Sequence, residues 1–489
     1  MTKNLKNKKE KIAPIANVVS KNTGPMKSLE PKIFTDSRSY REFFLYTIGI
    51  IGAILLVYWP TPSFDLTYCD DNWFIFNHYN FHKDLGNIWN AFLKPTGLTY
   101  YRPILTVSFI IDANLSGVEP WAYHLSNYIY HILGSLLIFY ALMRIGYSNL
   151  MSFLLGVLFA VHPILTPAVS WISCRNDSML TVFMLISFLC FINFSNTSKR
   201  ALQIIYYVLH ILFFGIGLFT KETGVVLPFL CISYIVFFKK DKLLTDRNWG
   251  LAAGWIIIGL FFAFMRLTAV IGIHSPAEIG LNSFLKNLPT VIFMFGKIFL
   301  PVKMIAIPSY ETFTMVSGIV VLTAIIVVTF LHRKKLEMNK IWFAWSWFII
   351  ALLPSFMIRI LNQEHLFDYS EHRAYLPMFA VLILIAEFCK TYKVDFKKPL
   401  PLIIAIGILC VLGIRSYFYQ WTFENRMAFW THAVNAFPNR SKAYQDLGEA
   451  YYAMDNLQKA EELYLKGISL NPKHKPFYVN LSALYHNKD

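Results

Sequence analysis

Charged residues are scarce in this sequence. Asp, Glu, Lys and Arg make up only 15% of the 489 residues, against about 25% in an average soluble domain. Hydrophobic residues make up 56% and aromatic residues 17% of the chain, and the mean hydropathy is +0.45. This composition excludes a water-soluble enzyme of this length and indicates an integral membrane protein.

Several common motifs are also missing. The six cysteines show no CxxC or CxxH spacing, which excludes a zinc module and a disulfide framework. The chain has no GxGxxG or GxxxxGKS/T loop of the kind that cradles nucleotide phosphates. A donor presented in the plane of the membrane needs no such loop, so the sequence favours a lipid-linked substrate over a nucleotide-linked one.

Apolar runs recur at the roughly 17–25 residues that a helix needs to cross a bilayer. They predict an all-α, polytopic membrane protein with about eleven crossings, at 43–60, 122–143, 150–165, 177–194, 202–219, 223–238, 250–271, 315–331, 341–358, 374–390 and 399–414. A twelfth run, 284–302, contains Lys286 and Lys297 and is interrupted by Pro289 and Pro301. We expect this run to form an interfacial or re-entrant helix that does not cross.

The distribution of Lys and Arg predicts the orientation of the chain. With the N-terminus in the cytoplasm, the short inner loops hold 15 Lys and Arg in 37 residues, whereas the outer connections hold 10 in about 133. This asymmetry follows the positive-inside rule and explains the net charge of +16 without nucleic acid as a partner. Eleven crossings then place the C-terminus in the periplasm or the lumen of the endoplasmic reticulum.

Three regions are predicted. Residues 1–42 are rich in Lys, Asn and Ser and carry no apolar signal-peptide core, so we expect a disordered cytoplasmic tail. Residues 43–417 form the transmembrane domain, with a long first outer loop at 61–121. Residues 418–489 form an extracytoplasmic helical domain.

The last region repeats itself at a spacing of 34 residues, which is the period of tetratricopeptide (TPR) helix pairs. The register-matched pairs are Trp430 and Tyr464, Pro438 and Pro472, Tyr444 and Tyr478, Leu447 and Leu481, and Tyr451 and Tyr485. So short an array is not expected to be stable alone. We expect it to pack against the membrane domain or a partner. Its position also suits the docking of an acceptor peptide.

Polar residues of the spans and loops concentrate on the predicted outer side. Charges at membrane depth are costly and are usually functional, so we take the convergence of several spans at one level as a candidate site. Its members are Asp70, Asp71, Arg102, His124, Asn127, His131, His162, Arg175, Asp177, Lys221, Glu222, Glu371, His372 and Arg373.

Asp70 and Asp71 stand next to each other in an aromatic part of the first outer loop. One carboxylate can accept a proton from an attacking hydroxyl, and the other can orient that hydroxyl or hold Mg²⁺ or Mn²⁺. Nearby Arg, Lys and His side chains can bind a departing phosphate. Whether the pair binds a metal is left open at this point.

The order of these motifs resembles the transmembrane and tetratricopeptide-repeat O-mannosyltransferase family, over about residues 43–489. The resemblance rests on Asp70-Asp71, Tyr101-Arg102-Pro103, His124-x2-Asn127-x3-His131, His162-Pro163, Arg175-x-Asp177, Lys221-Glu222-x-Gly224 and Glu371-His372-Arg373, followed by the terminal repeats. Leu165 and Pro167 depart from the family, which often has an acidic residue and a second His after the His-Pro pair.

The resemblance implies a GT-C fold and transfer of a sugar, typically mannose, from a polyprenyl-phosphate donor to an acceptor hydroxyl on the non-cytoplasmic side, with inversion at the anomeric carbon. It implies that Asp70 and Asp71 are catalytic. The remaining members of the candidate site would hold the lipid phosphate or shape the pocket.

Two other classes stay open. A lipid-linked polysaccharide polymerase or ligase would depend on outer Arg and His residues more than on a carboxylate pair. A transporter or scaffold carrying the repeats would need no acid pair at all, and a transporter would want ionisable residues in the middle of its spans.

Overall fold

The computed structural model describes residues 37–96, 100–239, 245–270, 277–307, 310–360 and 370–486. Most of the predicted N-terminal tail therefore lies outside the described residues. The helices are α1 Ser37–Tyr58, α2 Tyr79–His82, α3 Asn87–Asn90, α4 Pro103–Ser116, α5 Trp121–Ile145, α6 Asn149–Ala160, α7 Thr166–Ser170, α8 Arg175–Asn196, α9 Arg200–Thr220, α10 Leu227–Phe238, α11 Asp246–Ala269, α12 Leu281–Asn287, α13 Pro289–Phe299, α14 Thr312–His332, α15 Met338–Phe356, α16 Met378–Thr391, α17 Pro399–Gln420, α18 Arg426–Ala436, α19 Ser441–Ala453, α20 Leu457–Leu470 and α21 Lys475–His486.

The chain is a multi-pass membrane protein. Among the described residues, seven helices are long and apolar enough to cross a bilayer, namely α1, α5, α8, α9, α11, α14 and α17. An eighth span results if Asn149–Ala160 and Pro163–Ser170, which are bent by 52° at the intervening His-Pro step, are taken as one. Proline removes a backbone donor and disfavours helix at the residue before it, which accounts for the bend.

The predicted number of eleven crossings is not confirmed. The predicted spans 223–238, 341–358 and 374–390 fall on α10, α15 and α16, which are helical but do not meet the length and composition of a span. The run 284–302 is divided into α12 and α13 at Leu288. Eleven residues of α13 reach only about 16 Å, which is shorter than a membrane span, and the interfacial or re-entrant role of this run stays a prediction.

One short pair of strands interrupts the helical architecture. β1, Ala277–Ile279, pairs antiparallel with β2, Ile358–Ile360, with Glu278 opposite Arg359. The prediction of an all-α protein is therefore correct for the bundle and misses this small sheet.

α8 is the central helix of the bundle. Most of its side chains are buried, and it packs between α5 and α9. Arg175 at the start of α8 contacts the carbonyl of Tyr123 near the start of α5, and Arg144 near the end of α5 contacts Asn193 near the end of α8. α5 and α8 therefore run parallel, and their first turns lie at one end of the bundle.

Short helices lie between α1 and α4, in the predicted first outer loop. A π-helical turn spans Trp73–Asn77, followed by α2 and α3. Large apolar side chains in this stretch are exposed, among them Leu85, Trp89 and Leu93. Exposed aromatic and aliphatic residues on short helices are typical of segments that rest at a membrane interface.

The C-terminal part forms four helices, α18 to α21, each packed on the next. Glycines permit the close approach of neighbouring helices: a Cβ at Gly448 would lie 2.5 Å from the Tyr464 ring, and one at Gly467 would lie 2.1 Å from the Phe477 ring. Because α20 pairs with both α19 and α21, the arrangement agrees with the helix pairs that the 34-residue period predicts. Assignment of these helices to the TPR class stays a prediction.

Candidate active site

The acid pair lies in an unusual loop that follows α1. Tyr68 and Asp70 have φ angles of 57° and 72°, in the left-handed region that side chains other than glycine rarely adopt. Each such residue costs about 1–3 kcal/mol and persists only where its surroundings hold it. The loop is therefore held in place by its contacts with the rest of the protein, and such strained loops concentrate at functional sites.

Asp71 is fixed inside this loop, with only 1% of its surface exposed. Its Oδ2 accepts hydrogen bonds from the backbone N–H and the hydroxyl of Thr67, at 2.8 and 2.7 Å, and its Oδ1 accepts one from the N–H of Asn72 at 2.9 Å. Burial raises the pKa of Asp71 to about 6, and the hydrogen bonds from Thr67 and Asn72 oppose that rise. Asp71 is thus a held carboxyl with little direct access to solvent.

Asp70 differs from its neighbour because its side chain is exposed. Enough protein surrounds the carboxyl that desolvation still raises its pKa above the ordinary value. A carboxylate that is accessible and has a raised pKa can take a proton from an incoming hydroxyl more readily than an ordinary surface carboxylate. Of the pair, Asp70 therefore has the geometry of the general base.

A second cluster of charged side chains lies where the start of α8 meets the turn that follows α9. The ammonium of Lys221 lies 2.7 and 2.8 Å from the two carboxylate oxygens of Asp177. His372 Nε2 lies 3.8 Å from Asp177 Oδ2, and Arg373 lies within electrostatic range of both members of the pair. The side chains of Asp177 and Lys221 are each 11% exposed, so this ion pair is largely buried and keeps a small solvent-accessible surface.

Arg102 and Glu222 form another ion pair beside Lys221, with Arg102 Nε 3.0 Å from Glu222 Oε2. The Arg102 guanidinium also lies 4.2 Å from the centre of the Tyr100 ring. The turn that carries Lys221 and Glu222 depends on Gly224, because a Cβ there would lie 2.9 Å from the backbone of Leu218. The predicted Lys-Glu-x-Gly motif is thus a tight turn that presents two charges.

The acid loop and the charged cluster are connected through residues 171–174, the segment between α7 and α8. The carbonyl of Cys69 accepts hydrogen bonds from Trp171 Nε1 at 2.9 Å and from the hydroxyl of Ser173 at 3.4 Å. The next residue, Cys174, contacts His372 Nδ1 through its sulfur at 3.2 Å. Asp70 and Asp71 are therefore brought to the same end of the bundle as Asp177, Lys221, His372 and Arg373. Cys69 and Cys174 are both free thiols here.

Other predicted site residues are enclosed in the protein. Arg175 is completely buried, and its guanidinium is surrounded by Asp112 at 2.5 Å, Asn127 at 2.7 Å, Ser108 at 3.0 Å and the carbonyl of Tyr123 at 2.6 Å. Since every one of these partners is protein, the contacts favour a structural role for Arg175 and Asn127. Their role in binding a donor phosphate stays a prediction.

His124, His131, His162 and Glu371 are buried as well. His131 contacts the Tyr375 hydroxyl at 2.7 Å and the carbonyl of Ala160 at 2.9 Å. His162 Nε2 contacts the carbonyl of Ile298 at 2.8 Å, and the His124 ring packs edge-on against Phe64. These contacts join helices across the bundle.

Glu371 binds Lys297 and accepts hydrogen bonds from the Tyr419 hydroxyl at 2.8 Å and the N–H of Ile305 at 2.7 Å. It thereby joins α13, α17 and the turn before α16. His372 and Arg373 reach the charged cluster because this buried carboxylate fixes the start of their turn.

Several residues of the site were missed by sequence reasoning. Asp112 is a lone acid within the apolar helix α4, a signal that could have marked it. Lys297 was noticed as a charge in an apolar run, but its partner Glu371 lies 74 residues away in sequence. Thr67 and Trp171 have no signal of their own, because hydroxyl and indole groups in loops are common.

A metal ion at the acid pair stays a prediction. Both oxygens of Asp71 already accept hydrogen bonds from Thr67 and Asn72. Within the described ranges, no group of three or more His, Cys, Asp or Glu side chains is placed to hold an ion. We therefore derive no step through Mg²⁺ or Mn²⁺.

The apolar helical bundle thus has an accessible carboxylate, a held carboxylate and clustered cations at one end. Residues 43–281 match the family model described as dolichyl-phosphate-mannose-protein mannosyltransferase. The human protein O-mannosyl-transferase TMTC3 is 22% identical over 440 residues, which cover 79% of this chain and 46% of that protein. The mouse protein O-mannosyl-transferase TMTC2 is 34% identical over 161 residues, which cover 32% of this chain and 19% of that protein.

The resemblance drawn from the motifs is confirmed by these matches: the chain is similar to protein O-mannosyl-transferases of the TMTC kind. It spans less than half the length of these two relatives. Among solved structures, ArnT from Cupriavidus metallidurans in the apo state aligns with a TM-score of 0.46 and 14% identity over 89% of this chain and 75% of that chain. The oligosaccharyltransferase of Archaeoglobus fulgidus aligns with a TM-score of 0.45 and 13% identity over 79% and 55% of the respective chains.

Proposed function

We propose that this protein transfers a hexose, with mannose as the first candidate, from a polyprenyl-phosphate donor to a hydroxyl of a protein acceptor. The proposal rests on the acid pair lying at the same end of the bundle as Lys221, Arg102, His372 and Arg373. The family model that matches residues 43–281 is named for a dolichyl-phosphate-mannose donor, which supports this choice of substrate.

The mechanism is a single displacement at the anomeric carbon. Asp70 takes the proton of the acceptor hydroxyl as its oxygen forms the new glycosidic bond. The bond between the anomeric carbon and the phosphate oxygen breaks at the same time, and the electron pair leaves with the polyprenyl phosphate. Asp71, held by Thr67, fixes the loop that carries Asp70. The product has the inverted anomeric configuration.

The leaving phosphate is received by the cations. Lys221 is paired with Asp177, and Arg102 is paired with Glu222. Both cations are therefore oriented before the donor binds. Preorganised cations stabilise the charge that develops on a leaving group more effectively than mobile ones. His372 and Arg373 lie next to them and complete a basic surface for a phosphate headgroup.

We place this site on the non-cytoplasmic side of the membrane. The Lys and Arg bias of the loops supports this orientation. In intact bacterial cells that produce a cysteine-free variant carrying Tyr485→Cys, on the exposed surface of α21, this thiol should react with a reagent that enters the periplasm but does not cross the inner membrane. Reaction only after the membrane is opened would reverse the orientation.

Transfer is tested with purified protein, a labelled polyprenyl-phosphate mannose and serine- or threonine-containing acceptor peptides. Asp70→Asn should lower kcat about 10²–10⁴-fold, because the acceptor then lacks its base. Asp84→Asn is the matched control, since Asp84 is an exposed carboxylate of the same loop region. An Asp70→Asn variant with wild-type activity would reject the mechanism, and activity only with an oligosaccharide donor would assign the protein to polysaccharide transfer instead.

A further inference from the structure

The C-terminal helices do not stand apart from the acid loop but pack directly on it. The N–H of Asp65 donates a hydrogen bond to the carbonyl of Glu424 at 2.8 Å. The Phe64 ring lies 5.3 Å from the Trp421 ring. These contacts lie five to seven residues before the acid pair, where the chain leaves α1, so the start of the C-terminal region is joined to the base of the acid loop.

A second line of contact reaches the loop through Trp171. Its indole N–H donates to the carbonyl of Cys69, immediately before Asp70. The same indole packs against Phe423 and Phe429, with ring centres 6.2 and 5.4 Å away. Phe429 belongs to α18 and is 1% exposed. Trp171 is therefore held between the acid loop on one side and the first C-terminal helix on the other.

The most direct contact is made by Arg426, the first residue of α18. Its guanidinium carbon lies 4.8 Å from the centre of the Tyr68 ring, and its Nη2 lies 3.0 Å from Glu449 Oε2 on α19. Tyr68 is one of the two left-handed residues of the loop. Arg426 thus connects the strained backbone beside the acid pair to the packing between the first two C-terminal helices.

From these contacts we infer that Arg426 is a positioning residue for the transfer reaction: it holds Tyr68, and through it the left-handed conformation that presents Asp70. The C-terminal helices are then part of the catalytic unit. This inference rests on the proposed function, since it needs Asp70 to act on the acceptor. It assigns Arg426 no contact with either substrate.

The inference predicts a particular split in the kinetic constants. Arg426→Ala should lower kcat about tenfold or more, because small displacements of a reacting group are costly, whereas KM for the lipid donor should change less than about twofold. Arg426→Lys keeps a cation over the Tyr68 ring and should recover most of the loss. Lys459→Ala, on the exposed surface of α20, is the control and should leave both constants unchanged.

A double-mutant cycle separates positioning from a general weakening of the C-terminal helices. Tyr68→Phe keeps the ring and should retain activity, whereas Tyr68→Ala should resemble Arg426→Ala. Adding Arg426→Ala to Tyr68→Ala should then have little further effect on kcat, because the contact is already lost. Glu449→Gln weakens the other contact of Arg426 and reports on the helices alone.

The outcomes distinguish the two proposals. If Arg426→Ala and Tyr68→Ala lower kcat by independent factors that multiply, or if Glu449→Gln lowers it as much as Arg426→Ala, the positioning role is wrong while the proposed function stands. If Asp70→Asn retains full activity, the proposed function itself fails. A wild-type kcat for folded Arg426→Ala, as judged by its thermal unfolding, would also overturn the positioning role.

Discussion

Two charged clusters lie within one helical turn of each other at the start of α8, yet they have opposite character. Arg175 and Asp112 are 0% and 1% exposed in their side chains, and protein groups surround both. Asp177 and Lys221 are each 11% exposed and have His372 beside them. The difference divides the polar residues near the start of α8 into a closed cluster, with almost no exposed surface, and an open cluster, with a small exposed surface.

The sharpest way to break this comparison is to remove the cation of the closed cluster. Arg175→Met leaves the Asp112 carboxylate buried without its partner and should destabilise the protein by about 3–5 kcal/mol. The measurement is thermal or denaturant unfolding of the purified protein in detergent. The activity per folded molecule should stay close to that of the wild type.

The double variant Arg175→Met with Asp112→Leu removes both charges. It should regain a large part of the lost stability, because no buried charge is then left unpaired. Equal stability of the single and double variants would show that the ion pair is not what holds this region together.

The open cluster should respond in the opposite way. Lys221→Met removes a cation that we expect to stabilise the leaving phosphate, so kcat should fall about 10²–10³-fold, while the melting temperature should drop less than in Arg175→Met. Lys303→Met is the matched control, because Lys303 is a largely exposed partner of Glu311. Lys221→Met with normal kcat would move the phosphate site away from this pair.

The smallest expected effect concerns pH and the carboxyl of Asp446, which lies on α19 close to Cys69. Burial raises the pKa of Asp446 to about 6, above its value in the unfolded chain. The folded state therefore binds the proton more tightly, and the free energy of unfolding should fall as pH rises from about 4 to about 6, by about 2 kcal/mol for this group.

Asp446→Asn removes this pH-dependent contribution. The melting temperature of the variant minus that of the wild type should therefore be more positive at pH 8 than at pH 4.5. Asp71, whose pKa is also about 6, retains its own contribution in this variant. Asp455→Asn is the control, since Asp455 is exposed and its left-handed φ of 60° suits Asn as well as Asp. An unchanged pH dependence in Asp446→Asn would show that this carboxyl is not desolvated in the folded protein.

The positions of helices were predictable because hydrophobic runs of bilayer length have one stable solution, a helix that satisfies its own backbone hydrogen bonds. The number of spans was less predictable. α15 has Lys340 in its first turn and contains Pro354, and α10 and α16 are short, so hydropathy alone does not decide whether such helices cross.

The acid pair could be proposed from the sequence, because one of two adjacent carboxylates can act as a base while the other orients the substrate, and its catalytic role stays a prediction. Which of the two is accessible was not predictable. The accessibility depends on the hydrogen bonds from Thr67 to Asp71 and on the left-handed backbone at Asp70. The local sequence contains only common residues and predicts neither feature.

The sequence by itself determined that this is a helical membrane protein with charged groups concentrated at one level, since the cost of burying charge in lipid restricts where such residues can be placed. Only the tertiary structure decided that Arg175 pairs with Asp112, that Lys221 pairs with Asp177, and that Arg426 contacts the Tyr68 ring. Those pairings join residues 63, 44 and 358 positions apart. They depend on which faces of the helices meet, and helix packing sets those faces only once the whole bundle has formed.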